Sequence, residues 1–377
     1  MVFNKLPGRL PVALTGVLAA LLTTPAHAEY GLNMPEGVTP ISHQIYDLHM
    51  LVFWICVIIG VIVFGAMTWS IIFHRKSRGA VAAHFHESTM VEIFWTVGPL
   101  AILIGIAIPA TGTLLDLEDA KTNADINLQV TGIQWKWKYN YIDEDVEFIS
   151  SLAQSSRDVV KDPTGHENYL LEVDQPIVLP INKKIRFLFN SDDVIHAWWV
   201  PDLAVKQDVI PGFINDSWAL IEEPGTYRGQ CAELCGREHG FMPIVVEAVT
   251  QSEYEQWIAE KKAEAAAVAA SAEQEWSMQD LLTKGESVYA GNCAACHGPT
   301  GAGIPGVFPA ITNSPIATGD AAEHMNIVMN GRSGTAMAAY KTQLSDVDLA
   351  AVITFERNSF GNSTGDMVQP SAIKNGR

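Results

Sequence analysis

Positive charge is scarce in this chain: 24 Lys and Arg stand against 42 Asp and Glu, a formal net charge of −18 over 377 residues. So acidic a protein is a poor ligand for nucleic acid, and a basic protein partner suits it better. Cysteine is scarcer still, at five. A disulfide-dense scaffold is thereby excluded, and each thiol needs its own account. Two stretches, 48–73 and 93–115, contain no Asp, Glu, Lys or Arg. Each exceeds the roughly 20 residues that a spanning helix needs, so both are expected to cross a bilayer. Gly and Pro are missing from Gln251 to Glu275, which is rich in Ala, Glu and Lys. That stretch predicts a helix running into a semi-rigid connector.

Residues 1–28 combine Lys5 and Arg9, an apolar run from Leu10 to Leu22, and Ala26-His27-Ala28. This is the pattern of a secretory signal peptide. Residues 29–124 then hold an N-terminal segment and the two-span hairpin. The loop between the spans carries Arg75, Lys76 and Arg78, whereas Asp116, Glu118 and Asp119 follow the second span. The positive-inside rule places the loop in the cytoplasm and everything after the hairpin outside, which in a bacterium means the periplasmic side of the inner membrane. Glu92 sits at the cytoplasmic mouth of the second span, where a carboxylate either snorkels to the interface or admits protons.

Residues 125–250 change character to short β-rich runs: Ile126 to Ile133, Trp135 to Tyr141, Ile185 to Asn190, Trp218 to Ile221, Thr226 to Cys231 and Pro243 to Val249. Their spacing predicts an antiparallel sandwich. Within it, Cys231-Ala-Glu233-Leu-Cys235-Gly-Arg-Glu-His239-Gly-Phe-Met242 packs two thiols, an imidazole and a thioether into one loop. Soft ligands of this kind suit copper, and a sandwich can bring the distant His196 to the same place. Zinc and a Cys231–Cys235 disulfide are the competing readings.

After the linker at 251–277, Cys293-Ala-Ala-Cys296-His297 is a c-type haem attachment signature, with the two thiols as thioether donors and His297 as an axial ligand. A redox dithiol is disfavoured, because no βαβ pattern surrounds it. Met325, Met329 and Met337 are available as the sixth ligand; the first two lie at helical spacing and read as packing residues, whereas Met337, in Gly334-Thr-Ala-Met337-Ala-Ala-Tyr340 ahead of Leu344-Ser-Asp346, resembles the ligand loop of small bacterial cytochromes c, from which Ala338 departs where that family usually has Pro. The cytochrome-like domain spans 278–361, with a closing helix from Asp346 to Asn358, and 362–377 reads as a loose tail. Cys56, in the first span, is a small apolar residue there.

The Cys231 to Met242 loop, with Gly229-Gln230 before it and Pro243-Ile244-Val245 after, resembles the binuclear CuA centre of cytochrome c oxidase subunit II. The run Asp193-Val-Ile-His196-Ala-Trp-Trp-Val-Pro201, Ile210-Pro211-Gly212 and the two spans match the same family, so the resemblance covers roughly Ser42 to Val249. With the haem motif behind it, the whole is similar to the caa-type subunit that carries a fused cytochrome c domain. The resemblance implies a membrane-anchored, multi-domain fold: a two-helix hairpin, an all-β cupredoxin-like sandwich and a small all-α cytochrome c domain. It implies copper ligands at His196, Cys231, the main-chain oxygen of Glu233, Cys235, His239 and Met242, with the Glu233 side chain on a magnesium ion shared with the catalytic subunit. Trp135 becomes the point of electron intake, and Glu92 the mouth of a proton pathway. Asp143, Glu144, Asp145, Glu147, Asp192 and Asp193 form a candidate docking face for a basic cytochrome c. The implied work is electron relay to a haem-copper subunit I, with subunit III alongside, for oxygen reduction coupled to proton pumping. Alternatives are the copper subunit of a nitric oxide reductase and a copper-delivery or thiol-redox protein.

Overall fold

The computed structural model describes residues 33–82, 84 and 86–377. The expected signal peptide, 1–28, lies outside them. The chain up to Glu36 is a unit of its own, and its described part, 33–36, forms neither helix nor strand. Everything from Gly37 onward belongs to a second unit.

Two helices open that unit, α1 (Pro40–Phe73) and α2 (Thr89–Glu118), both long and apolar enough to cross a membrane. They extend past the expected spans because α1 begins in a polar turn. There Pro40 takes the first helical position and Thr39 and Ser42 cap each other, with Thr39 Oγ1 accepting from Ser42 N at 3.0 Å. Pro99 and Pro109 lie inside α2 without ending it.

Ten strands follow. The first sheet runs β3 (Val146–Ser150), β2 (Lys136–Tyr141), β1 (Ile126–Ile133), β5 (Lys184–Ser191), β8 (Asn215–Leu220); the second runs β4 (Ile177–Pro180), β10 (Pro243–Val249), β9 (Gly225–Cys231), β6 (His196–Val200), β7 (Val205–Val209). The expected sandwich forms, but it is not purely antiparallel: β1 pairs with β5, and β10 with β4, in parallel. Strand β5 alternates strictly between half-buried and buried residues, which turns Ile185, Phe187 and Phe189 inward. They meet Trp198 and Val200 of β6 and Ile244 and Val246 of β10 in one apolar core.

Both outer ends of the hairpin are bolted to this sandwich. Thr39 Oγ1 donates to the Leu203 carbonyl at 3.2 Å, and Trp218 Nε1 donates to the Asp116 carbonyl at 3.0 Å. Lys184 Nζ lies 4.4 Å from the centre of the Trp218 ring and donates to the Thr122 carbonyl.

Beyond the sandwich, α3 (Gln154–Asp158) being a short excursion between β3 and β4, the linker helix α4 (Gln251–Ser271) starts at a Thr250–Glu253 capping box and buries Tyr254 and Ile258 against the core. The cytochrome-like region comprises α5 (Met278–Asn292), α6 (Ala294–His297), α7 (Pro315–Thr318), α8 (Ala321–Asn330), α9 (Asp346–Asn358) and α10 (Pro370–Gly376). At Gly285 a Cβ would collide with the Ala351 carbonyl, so glycine lets α5 and α9 cross in close contact. The expected loose tail is corrected: it folds into α10 and buries Val368 and Ile373 in the second core.

Candidate metal centres

The first centre is assembled where β6, the end of β9 and the following loop converge. His196 opens β6, Cys231 closes β9, and Trp198 pairs with Cys231 across the two strands. One donor atom from each of His196, Cys231 and Cys235 lies within 4.8 Å of the others, and all three residues are buried. The two sulfurs are 3.8 Å apart, far beyond the roughly 2 Å of a disulfide bond. His239 Nδ1 and Met242 Sδ each lie 3.5 Å from Cys235 Sγ, and the Glu233 carbonyl lies 3.4 Å from Cys231 Sγ. The structure thus brings together all six expected donors. The Glu233 side chain is exposed.

The hydrogen bonding is that of a site made for a cation. The hydrogen bond with Cys235, helped by His196, holds the Cys231 thiol far below its ordinary range despite burial, so a thiolate forms readily. The shared proton holds Cys235 above its own. Burial opposes charge on His196, yet its bonds to Asp193 and Cys231 keep its pKa raised. A dense set of soft donors and one main-chain oxygen, already within contact range, fits copper.

Asp193 has a role at the site that sequence reasoning did not assign. Its Oδ1 lies 3.0 Å from His196 Nε2 and its Oδ2 accepts from Gln134 N at 2.7 Å. This fixes the ring so that Nδ1 faces Cys231, in the way that carboxylates orient metal-bound imidazoles. Its position three residues before His196 was the available signal. Others of the acidic set are tied down as well: Glu147 to Lys138, Glu144 to Lys262 and Asp143 to Asn127. Gly132 is required beside the site, since a Cβ there would sit 2.6 Å from the His196 ring. The loop is also held from β2 and its approach. Gln134 Nε2 and Trp135 Nε1 donate to the Cys235 carbonyl at 2.8 and 3.2 Å, and Trp137 Nε1 donates to the Met242 carbonyl at 3.1 Å.

The second centre is a cavity of about 320 Å³ lined by Cys293, Cys296, His297 and Met337, with Arg332, Tyr340, His324 and Glu356 on its walls. His297 Nδ1 lies 2.9 Å from the Pro309 carbonyl, which leaves Nε2 for a metal. Met329 is buried in the core and Met325 packs against it; neither lines the cavity, whereas Met337 does. His324 and Glu356 are bonded at 2.9 Å, and the buried His324 Nδ1 has no partner among the described residues. A large apolar ligand with polar edges suits such a wall, as a haem would. Glu92 lies exposed in the first turn of α2, apart from both centres.

A membrane-anchored cupredoxin followed by a haem-attachment domain defines a class, that of membrane-bound electron carriers. Comparison with known proteins makes this specific. Residues 27–112 match the transmembrane domain of cytochrome c oxidase subunit II, 126–249 its periplasmic domain, and 280–355 the family described as cytochrome c oxidase, cbb3-type, subunit III. A probable cytochrome c oxidase subunit 2 of Rickettsia bellii is 38% identical over 236 residues, which is 62% of this chain and 86% of the relative. Cytochrome c oxidase subunit 2 of Arabidopsis thaliana is 35% identical over 60% of this chain and 88% of its own length. Among solved structures, the periplasmic domain of subunit II from Bradyrhizobium japonicum is 41% identical, covers 37% of this chain and 96% of that one, and superposes with a TM-score of 0.34. The chain belongs to the cytochrome c oxidase subunit II family, and its C-terminal cytochrome c domain makes it an electron-relay subunit of the oxidase.

Proposed function

We propose that this subunit holds a binuclear CuA centre and a covalent haem c, and feeds electrons to a haem-copper subunit I that reduces oxygen to water and pumps protons. When bound, these groups supply one-electron chemistry in which no covalent bond is made or broken. The residues supply the rest. Cys231, Cys235, His196 and His239 would hold the coppers, with Met242 and the Glu233 carbonyl as weak ligands. Asp193 keeps the His196 ring in register, and burial of His196, Cys231, Cys235 and Met242 would limit reorganisation around the metals. Cys293 and Cys296 would anchor the haem covalently, and His297 and Met337 would hold its iron.

Trp135, bonded to the copper loop through Cys235, takes electrons in; Glu233 reaches a magnesium ion at the boundary with subunit I; Glu92 opens a proton pathway. Subunit III and a basic external cytochrome c complete the partners, at the bacterial inner membrane with both redox domains on the periplasmic side. In this reading residues 1–28 are the signal peptide, 29–124 the anchor, 125–250 the copper domain, 251–277 the linker and 278–361 the haem domain.

The observation that carries this is the convergence of six donors at Cys231 and Cys235 beside a free haem-attachment motif. Metal and haem analysis of the detergent-solubilised full chain tests it. Two coppers and one haem c per chain, with a mixed-valence near-infrared band, are expected; one zinc, or both cysteine pairs oxidised, would overturn it.

A further inference from the structure

Both haem-attachment cysteines sit next to residues that are hydrogen-bonded to the copper domain. Arg237, two residues past the ligand Cys235, donates from Nη1 to the Ala295 carbonyl at 2.7 Å, and Ala295 precedes Cys296. Lys136, next to Trp135, donates from Nζ to Asn292 Oδ1 at 2.8 Å, and Asn292 precedes Cys293. The receiving groups are held in place. Asn292 Nδ2 is bonded to the Val288 carbonyl, which turns its Oδ1 toward Lys136, and its own carbonyl accepts from Tyr340 Oη at 3.0 Å. The Lys136 ammonium also lies 5.4 Å from the centre of the Tyr340 ring.

Lys136 is only 6% exposed. A lysine that deeply buried is costly unless its partners are fixed, so this is a specified contact and not a chance brush of two surfaces. Continuous routes result. From Cys296 through Ala295 and Arg237 to Cys235 there are covalent bonds and one hydrogen bond. From Cys293 through Asn292, Lys136 and Trp135 to the Cys235 carbonyl there are two hydrogen bonds.

We propose that Lys136 and Arg237 are positioning residues that latch the haem-bearing segment onto the copper loop, so that electrons pass between the centres inside one docked unit without a search by a tethered domain. This rests on the two-centre reading above. One electron moves, oxidising the haem iron and reducing the copper pair by one each, and no proton is transferred. Trp135 then serves this chain's own haem, and an external cytochrome c lands on the haem domain.

The test is photoreduction of haem c in the intact oxidase, with copper reduction followed optically. The wild-type rate should be independent of viscosity. In the Lys136→Ala, Arg237→Ala double variant it should fall roughly tenfold or more and become viscosity-dependent, while Lys136→Arg retains it. An unchanged rate in a double variant loaded with both centres, or a wild-type rate that falls as viscosity rises, would overturn the latch. Lys136 should also resist acetylation in the wild-type oxidase and react in Asn292→Ala; rapid wild-type labelling contradicts the latch even if the double variant fails to assemble. A wild-type oxidase without copper or haem would overturn the function reading instead.

Discussion

Among single residues, several side chains touch the proposed ligands without being ligands. Asp193 aims His196, so Asp193→Asn should lower copper affinity by about 10- to 100-fold while the sandwich stays folded. Competition with a chelator, read against far-ultraviolet dichroism, measures this; full copper retention would remove Asp193 from the site. Met242→Leu should keep the fold and both coppers yet shift the copper potential, because only a weak ligand is lost. An unshifted potential speaks against ligation by Met242. Lys136 makes a pH prediction. Burial depresses it to about 8 against an ordinary value near 10.5. Between those values the unfolded chain binds more protons than the folded one, so stability rises with pH across that window. Below pH 8 the cost of burying the charge is full and constant. Thermal melting of the full chain between pH 7.5 and 10.5 should show this rise, and Lys136→Met should flatten it.

The donors Cys231, Cys235, His239 and Met242 were legible because they crowd one loop, and His196 because a sandwich can return a distant strand to it. Asp193, Lys136 and Arg237 were not, because an acidic or basic residue looks the same in sequence whether it is solvated or committed to a partner. Only the fold shows the partner, as when Asp193 accepts from Gln134 N, 59 residues away, and Lys136 donates to Asn292, 156 residues away.

Among elements, legibility followed periodicity and length. The two membrane helices, β1, β5 and the closing helix α9 stand out as long apolar or alternating runs. Strands β3, β4, β6 and β7 do not, having four or five residues each. Strand β6 is buried at four of its five positions and lacks alternation, and β7 has the polar interior Lys-Gln-Asp. The parallel pairing of β1 with β5 joins Ile126 to Ile185, and local pattern carries no information about such distant partners. The C-terminal segment misled for another reason. Its apolar anchors, Val368 and Ile373, are too sparse to show a period, yet both are buried. Ending the chain after Gly361 should therefore destabilise the haem domain by on the order of 3 kcal/mol, the transfer cost of two such side chains. Denaturation of the full chain followed at the haem band measures it; an unchanged midpoint would return the segment to the status of a loose tail.

For the molecule as a whole, the arrangement is serial. The membrane hairpin is fixed to the sandwich through Thr39, Trp218 and Lys184, the sandwich carries the copper loop, and the haem-attachment segment lies against that loop through Lys136 and Arg237. The bonds of Thr39 and Lys136 are buried or partly buried, where they are worth more than in water, whereas those of Trp218, Lys184 and Arg237 are exposed. The central claim is that one chain holds two one-electron centres in series. Anaerobic reductive titration of the purified full chain, followed together in the visible haem band and the near-infrared copper band, tests it most directly. Two electron equivalents per chain are expected, one consumed at each band. A single equivalent confined to the haem, or uptake with no near-infrared change, would contradict it.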